Sequence, residues 1–451
     1  MELEALTRIW RLSPAASALL LAFLQFRREP RGRLAHLARL EPKVVPAALD
    51  ELRSRGLLER ASGRDHRYGL VDAETLERRA RRTTAGTALD DDRLELELQI
   101  LREVREAVGR PSVTVISPRE RAHAADAPPP PRAVTAYLRA LFPYLDLRLG
   151  TRCNFNCRYC LLGHEKRSTR SLDALEADLR HGRRLGLECL SLTGGEPSLH
   201  PHLLHIVRRA RALGYRRVIL VTNASLLGAG RNLERLLAAG VDAVGFSFDA
   251  PDPAVSRRLW RRDAYPQVLD GIRRVMAHDE LVVGSISVLT RLNMHLLPEL
   301  VRLLAELAQH RRGLYLPAID FVMPEENAWA HRRALVPRLR EAAPHLEAAL
   351  DEARHLGLPL VFRGVPACVM PAHREWDMER YMSIFDVVEL GDRSLQHRAG
   401  LDFLRHKPPA CATCVHRRGC LGVYRAYANL YGTDELRPVP HGPRKEAPCA
   451  W

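Results

Sequence analysis

Three cysteines stand within eight residues in CNFNCRYC: Cys153, Cys157 and Cys160, separated by three and then two residues. Thiolates select soft metals and iron–sulfur clusters. Three of them can hold three irons of a four-iron cube and leave the last iron to a non-protein ligand. A structural zinc site wants four closed ligands, and here the nearest fourth donor is His164. On spacing alone, iron–sulfur and zinc both stay open. A second group, Cys411, Cys414 and Cys420, is separated by two and five residues, with Cys368 upstream and Cys449 close to the end. The ninth cysteine, Cys189, falls in an apolar run and reads as an inert strand residue. An odd count in a chain of 451 residues argues against a disulfide scaffold and for metal sites.

Elements must hold these thiols. From Ala136 onward, apolar strand-like runs at 144–150, 189–194, 217–223, 243–249, 281–289, 315–322 and 359–364 alternate with helical stretches. Such alternation specifies βα units and a parallel sheet. Six or seven units fall short of an eightfold barrel, so the expectation is α/β, with a partial (β/α)6-type TIM-like barrel or an open sheet. In either, chemistry gathers at the C-terminal ends of the strands. CNFNCRYC follows the first strand and so belongs at that end.

Three later fragments sit on successive strand ends: LTGGEP (192–197), SFD (247–249) and VLTRLN (288–293). Together with C-x3-C-x2-C and Tyr159 just before its last cysteine, they make residues 136–365 resemble the radical S-adenosylmethionine (SAM) superfamily. The resemblance implies a [4Fe–4S] cluster on Cys153, Cys157 and Cys160, with SAM on its open iron. It implies reductive cleavage of SAM to methionine and a 5′-deoxyadenosyl radical that abstracts hydrogen from a substrate. By the same analogy Gly194, Gly195 and Glu196 serve the methionine moiety, and Ser247 and Asp249 the sugar or amino-acid end. Asn293 is then expected near the ribose and Tyr159 near the adenine, with Thr222 and Asn223 also facing the cofactor. A low-potential electron donor such as a flavodoxin or ferredoxin is an implied partner. The C-x2-C-x5-C run resembles the SPASM or twitch extensions of such enzymes. That resemblance implies one auxiliary [4Fe–4S] cluster on Cys368, Cys411, Cys414 and Cys420, with Cys449 as the competing fourth ligand and four-cysteine zinc as the alternative.

Four segments are expected: 1–71, a charged helix and Pro-rich linker at 72–135, the core at 136–365, and an auxiliary-cluster domain at 366–451. In 1–71, an apolar helix at 14–26 precedes helical spacings at Leu34/Leu37 and Val45/Leu49/Leu52, then a hairpin around ASGRD. This order resembles a winged helix. Its recognition-helix start, Pro42 to Ala48, offers little that reads base edges. Peptide or protein docking is favoured, ahead of a purely structural or dimerising role and then of nucleic acid. The net charge of +15 is arginine spread along the chain with no polybasic run, which reads as surface composition. No apolar run reaches the roughly 18 residues of a membrane span, and no signal-peptide order is seen, so the expected location is the cytoplasm. The favoured function is a radical SAM maturase modifying a peptide or protein. The alternative is an enzyme acting on a small metabolite or cofactor precursor. A non-catalytic iron–sulfur DNA-binding regulator is the second alternative.

Overall fold

The computed structural model describes residues 16, 29–30, 45–54, 57–60, 67–70, 131–141, 144–162, 168–184, 186–382, 387–390, 405–417 and 420–439. The expected helices at 14–26 (Ala16 apart) and at Leu34/Leu37, the charged segment 72–110, most of the Pro-rich linker, His164 and Cys449 lie outside them. The chain divides into two compact units, Met1–Ser112 with Asp392–Leu395 and Val113–Gly391 with Gln396–Trp451.

In the first unit, helix α1 (Val45–Ser54) buries Ala48, Leu49 and Leu52, the spacing read from the sequence. Strand β1 (Glu29–Pro30) pairs antiparallel with β3 (Arg67–Leu70), whose other edge pairs with β2 (Leu58–Arg60). A helix followed by a hairpin is the part of the winged-helix expectation that falls on described residues.

The second unit is built on eight parallel strands. In spatial order they run β11 (Val387–Leu390), β4 (Tyr144–Arg148), β5 (Cys189–Thr193), β6 (Arg217–Thr222), β7 (Ala243–Ser247), β8 (Val282–Leu289), β9 (Tyr315–Phe321) and β10 (Val361–Arg363). Strands β4 to β10 follow the expected runs. The eighth, β11, lies beyond them in sequence and adds to the outer edge of β4. Strand side chains alternate between faces. In β4, Leu145 and Leu147 point outward and are fully buried, while Tyr144, Asp146 and Arg148 between them are half-buried.

The outward leucines and valines meet the helices that cross between strands. These include α3 (Leu172–Arg184), α4 (Leu203–Ala212), α5 (Asn232–Ala239), α6 (Pro253–Trp260), α7 (Tyr265–Met276), α8 (Leu297–Ala308) and α9 (Leu339–His355), whose apolar faces join one continuous core. Helix α6 starts where Asp252 accepts a hydrogen bond from Val255 N at 2.7 Å with Pro253 at the first turn, a strong N-cap arrangement. The inner face is treated differently at its two ends. Helix formation already begins inside the expected linker, at Arg132, where helix α2 (Arg132–Leu141) starts. Its Val134 and Leu138 cover Leu316 and Val361, and its Leu141 covers Ile219, Ala243 and Val282. The N-terminal end of the inner face is thereby plugged.

Residues 366–391 and 396–451 belong to the same compact unit as the sheet. Strands β12 (Arg405–His406) and β13 (Val423–Tyr424) form a short antiparallel ladder, followed by a helix at Arg425–Tyr431. Tyr427 from that helix packs edge-on against Phe321 of β9 and accepts Leu339 N at 2.8 Å.

Candidate active site

The three-cysteine loop leaves β4 and is fastened at several points. Asn156 N and Arg158 N donate to the carbonyls of Trp260 and Leu259 at 3.1 and 2.9 Å, and Arg158 Nε donates to Arg258 O at 2.9 Å. These are the carbonyls left over at the end of α6. Phe155 stacks on Trp260 with ring centroids 5.5 Å apart. Asn327 Nδ2 donates to Cys157 O at 2.9 Å from the far side. Two cysteine sulfurs accept backbone N–H groups, Cys153 from Phe155 at 3.3 Å and Cys160 from Leu162 at 3.4 Å.

Gly194 and Gly195 follow β5 and seat this loop. A Cβ on Gly194 would fall 2.3 Å from Gly150 O, and one on Gly195 would fall 2.2 Å from Arg152 O. Gly195 N donates to Gly150 O at 3.0 Å and Glu196 N to Arg152 O at 2.8 Å. The close approach that only glycine permits is made here by the chain's own backbone. Glu196 is 3% exposed. Its carboxylate accepts Ser198 N at 3.0 Å, Ser198 Oγ at 2.5 Å, Thr222 Oγ1 at 2.7 Å and Asn223 N at 2.7 Å. Burial raises its pKa against the pull of those hydrogen bonds. Glu196 thus ties the end of β5 to the end of β6.

A closed ring of side-chain hydrogen bonds holds the loop over β6. Asn223 Nδ2 donates to Asn154 Oδ1 at 2.8 Å, Asn154 Nδ2 to Ser225 Oγ at 2.9 Å, and Ser225 Oγ to Asn223 Oδ1 at 2.6 Å. Asp249, past β7, is wholly buried. It accepts Tyr159 Oη, Trp260 Nε1 at 2.6 Å and Val288 N at 2.8 Å. Burial raises its pKa, with those donors opposing. Asn293, also wholly buried, donates to Asp249 O at 2.7 Å and Val288 O at 2.9 Å and accepts Thr290 N and Oγ1, each at 2.7 Å. The polar atoms of Asp249 and Asn293 are therefore satisfied by protein partners, behind the site and not on its surface. Ser247, at the tip of β7, is half-buried, and its hydroxyl makes no hydrogen bond among the described residues.

The donor set fits the expected cluster by its chemistry. Among the described residues no three His, Cys, Asp or Glu side chains converge as they would on a single ion. The thiols nonetheless share one field. Burial raises the Cys157 thiol well above its usual range, and Asp249, Cys160 and Cys153 raise it further. A bound cation deprotonates such thiols outright, and backbone N–H donors to the sulfurs are among the features that tune iron–sulfur clusters.

Residues 147–307 match the profile of the radical SAM superfamily. Similar curated proteins are GTP 3′,8-cyclases. That of Chlorobaculum tepidum is 32% identical over 216 residues, covering 46% of this chain and 63% of the relative. That of Mycolicibacterium smegmatis is 36% identical over 181 residues, 38% of this chain and 48% of the relative. The chain thus spans 48–63% of the length of these two relatives. Among solved structures, Streptococcus suis SuiB bound to the precursor peptide SuiA is similar with a TM-score of 0.49 at 13% identity, covering 93% of this chain and 90% of that one.

The inner face of the barrel carries charge at both sides of an apolar floor. On the β4 side, Asp146 accepts Thr193 Oγ1 at 3.2 Å, and burial raises its carboxyl. Arg148 pairs across the ladder with Thr193. On the other side, Arg363 of β10 lies opposite Asp320 of β9 and grips it with two hydrogen bonds, Nε to Oδ1 at 2.7 Å and Nη2 to Oδ2. Burial pulls the Arg363 guanidinium down, and the Asp320 charge more than reverses it. Between them lie Val221 and Gly245, paired across β6 and β7, and Ile286 and Ala318, paired across β8 and β9.

The described members of the second cysteine group lie within electrostatic reach of one another but, like the first three, do not converge as on a single ion. Cys368 feels the charges of Cys411 and Cys414, and Cys411 those of Cys420 and Cys414. The Cys420 sulfur accepts Gly422 N at 3.3 Å. Burial leads in raising Cys368, Cys411 and Cys420. Cys189 lies at the opposite, N-terminal end of β5.

Sequence reasoning did not single out Asn154, Ser225, Trp260, Asn327, Asp320 or Arg363. Asn154 sits inside the cysteine motif and Arg363 at a strand tip, which was a usable signal. Asn327 is 170 residues from its partner and left none.

Proposed function

We propose that this chain is a radical SAM enzyme acting on a small polar metabolite or cofactor precursor. The observation that carries the first part is the fastened C-x3-C-x2-C loop at the C-terminal end of a parallel barrel, seated on Gly194 and Gly195. Cys153, Cys157 and Cys160 would hold the [4Fe–4S] cluster, and Ser247, with the strand ends around Glu196 and Asn223, would face SAM. When bound, cluster and SAM supply one-electron chemistry that ends in hydrogen abstraction. The chain's own part is positional. Glu196 fixes Thr222 and Asn223, and Asn223 fixes Asn154 within the loop. Asp249 fixes Tyr159, and Asn293 fixes the backbone of Asp249. Asp249 and Asn293 thus act as supports in place of the direct cofactor contacts expected of them.

The relatives at about a third identity are named as cyclases of a nucleotide. This supports a metabolite substrate over the peptide or protein expected from the sequence. Half-buried Arg148, Asp320 and Arg363 around an apolar floor suit a molecule with a flat apolar body and charged ends. The helix that plugs the N-terminal end of the inner face keeps water from entering there. Cys368, Cys411, Cys414 and Cys420 would hold an auxiliary [4Fe–4S] cluster in the same compact unit. Anaerobic incubation of the reconstituted full chain with SAM, dithionite and GTP tests the substrate class. Consumption of GTP beyond a control without SAM is expected. Unchanged GTP, with hydrogen abstraction from an added peptide instead, would overturn the metabolite reading.

A further inference from the structure

The chain places arginine almost everywhere on its surface. Among the described residues, Arg405 is the one arginine that is buried, at 4% exposure. Burying a guanidinium is unfavourable unless it is paired and hydrogen-bonded. Arg405 is only partly compensated. Its Nη2 donates to Glu379, itself 11% exposed. Its Nη1 donates to Gly422 O at 3.3 Å, and its guanidinium lies 3.8 Å over the Tyr424 ring. Its Nε is buried and has no partner.

The residue that carries this vacant donor is joined to the second cysteine group through Gly422. Gly422, which accepts from Arg405, donates its own N–H to the Cys420 sulfur. Cys420 is also among the charges that act on Arg405. Other ionisable groups nearby include Asp377, buried and hydrogen-bonded to Glu379 N at 3.0 Å, Arg425, whose Nη2 donates to Arg405 O at 3.2 Å, and Lys407, whose Nζ donates to Arg417 O at 2.9 Å.

We propose that Arg405 is a positioning residue of the auxiliary cysteine site, supplying a buried positive charge and an Nε donor to a metal–sulfur group on Cys368, Cys411, Cys414 and Cys420. This rests on the auxiliary-cluster reading given above. A four-thiolate cluster is anionic and becomes more so on reduction, and its potential follows local charge and hydrogen bonds to sulfur. Arg405 favours the reduced form and raises the potential. Glu379, held against it, draws part of that charge away.

The experiment uses the full chain carrying Cys153→Ala, Cys157→Ala and Cys160→Ala, reconstituted with iron and sulfide, so that only the second site is read. Iron content comes first: roughly four irons per chain are expected of one cube. A chain without iron overturns the auxiliary-cluster reading itself. With iron present, a redox titration followed by electron paramagnetic resonance reads the potential. Arg405→Gln is expected to shift it downward, Arg405→Lys less so, and Glu379→Gln upward. Should Arg405→Gln fail to hold iron, the opposite signs of the Lys and Glu379 variants still decide. Unchanged potentials in those variants, at full iron content, overturn the role given to Arg405.

Discussion

Single atoms decide whether the cysteine loop is seated. Asp249 accepts three donors in a wholly buried position. Asn there keeps the shape, offers one acceptor, and turns an NH2 group toward donors. Asp249→Asn should destabilise the chain by about 1–3 kcal/mol, the usual penalty for an unsatisfied buried polar group, read by urea denaturation. The gap should depend on pH. A raised folded-state pKa means stability that is fully present below the ordinary aspartate value and is lost as pH rises through the raised one. The difference between wild type and variant should therefore narrow as pH increases across that window. A gap that widens instead would remove Asp249 from the role of raised, protein-satisfied carboxyl. Gly195→Ala asks for a related reading. Its Cβ would meet Arg152 O at 2.2 Å, so the loop must shift, and the reconstituted variant should lose iron from the first site while keeping its fold by circular dichroism. Full iron content would show that the glycine serves something other than the loop.

Elements set where these atoms stand. The seven strand runs were legible because each alternates or continues in apolar residues between clear breaks, and their order in the sheet is their order in sequence. The eighth strand, Val387–Leu390, was not: it is four residues long and comes after the βα rhythm has faded. Helix Arg132–Leu141 was hidden by the prolines immediately before it, which argue for a linker, although Val134, Leu138 and Leu141 keep helical spacing. The cysteine loop could be placed from sequence since it follows a strand. The ring of Asn154, Asn223 and Ser225 could not, because its members are joined only when β4 and β6 come together two strands apart. Asn223→Ala opens that ring and removes one support of Asn154. Hydrogen exchange at residues 153–158 should quicken in the variant, and equal protection would mean that the contacts to α6 alone hold the loop.

At the scale of the molecule, two cysteine groups and a charged inner face lie in one compact unit. The division of labour among them is testable by parts. Cys411→Ala with Cys414→Ala should leave SAM cleavage intact and impair product formation, assayed on the same reconstituted sample. Equal product formation would free the second group from any part in turnover. Arg363→Ala removes one charged end of the inner face and leaves Asp320 unpaired. It should raise the KM for substrate several-fold with a smaller effect on SAM cleavage alone, as loss of a binding contact does. The most direct test of the whole account is anaerobic incubation of the reconstituted chain with SAM and dithionite, with 5′-deoxyadenosine measured by chromatography. The account predicts 5′-deoxyadenosine from wild type and none when Cys153, Cys157 and Cys160 are replaced by Ala. No 5′-deoxyadenosine from an iron-loaded wild-type chain, or equal amounts from the triple variant, would contradict it.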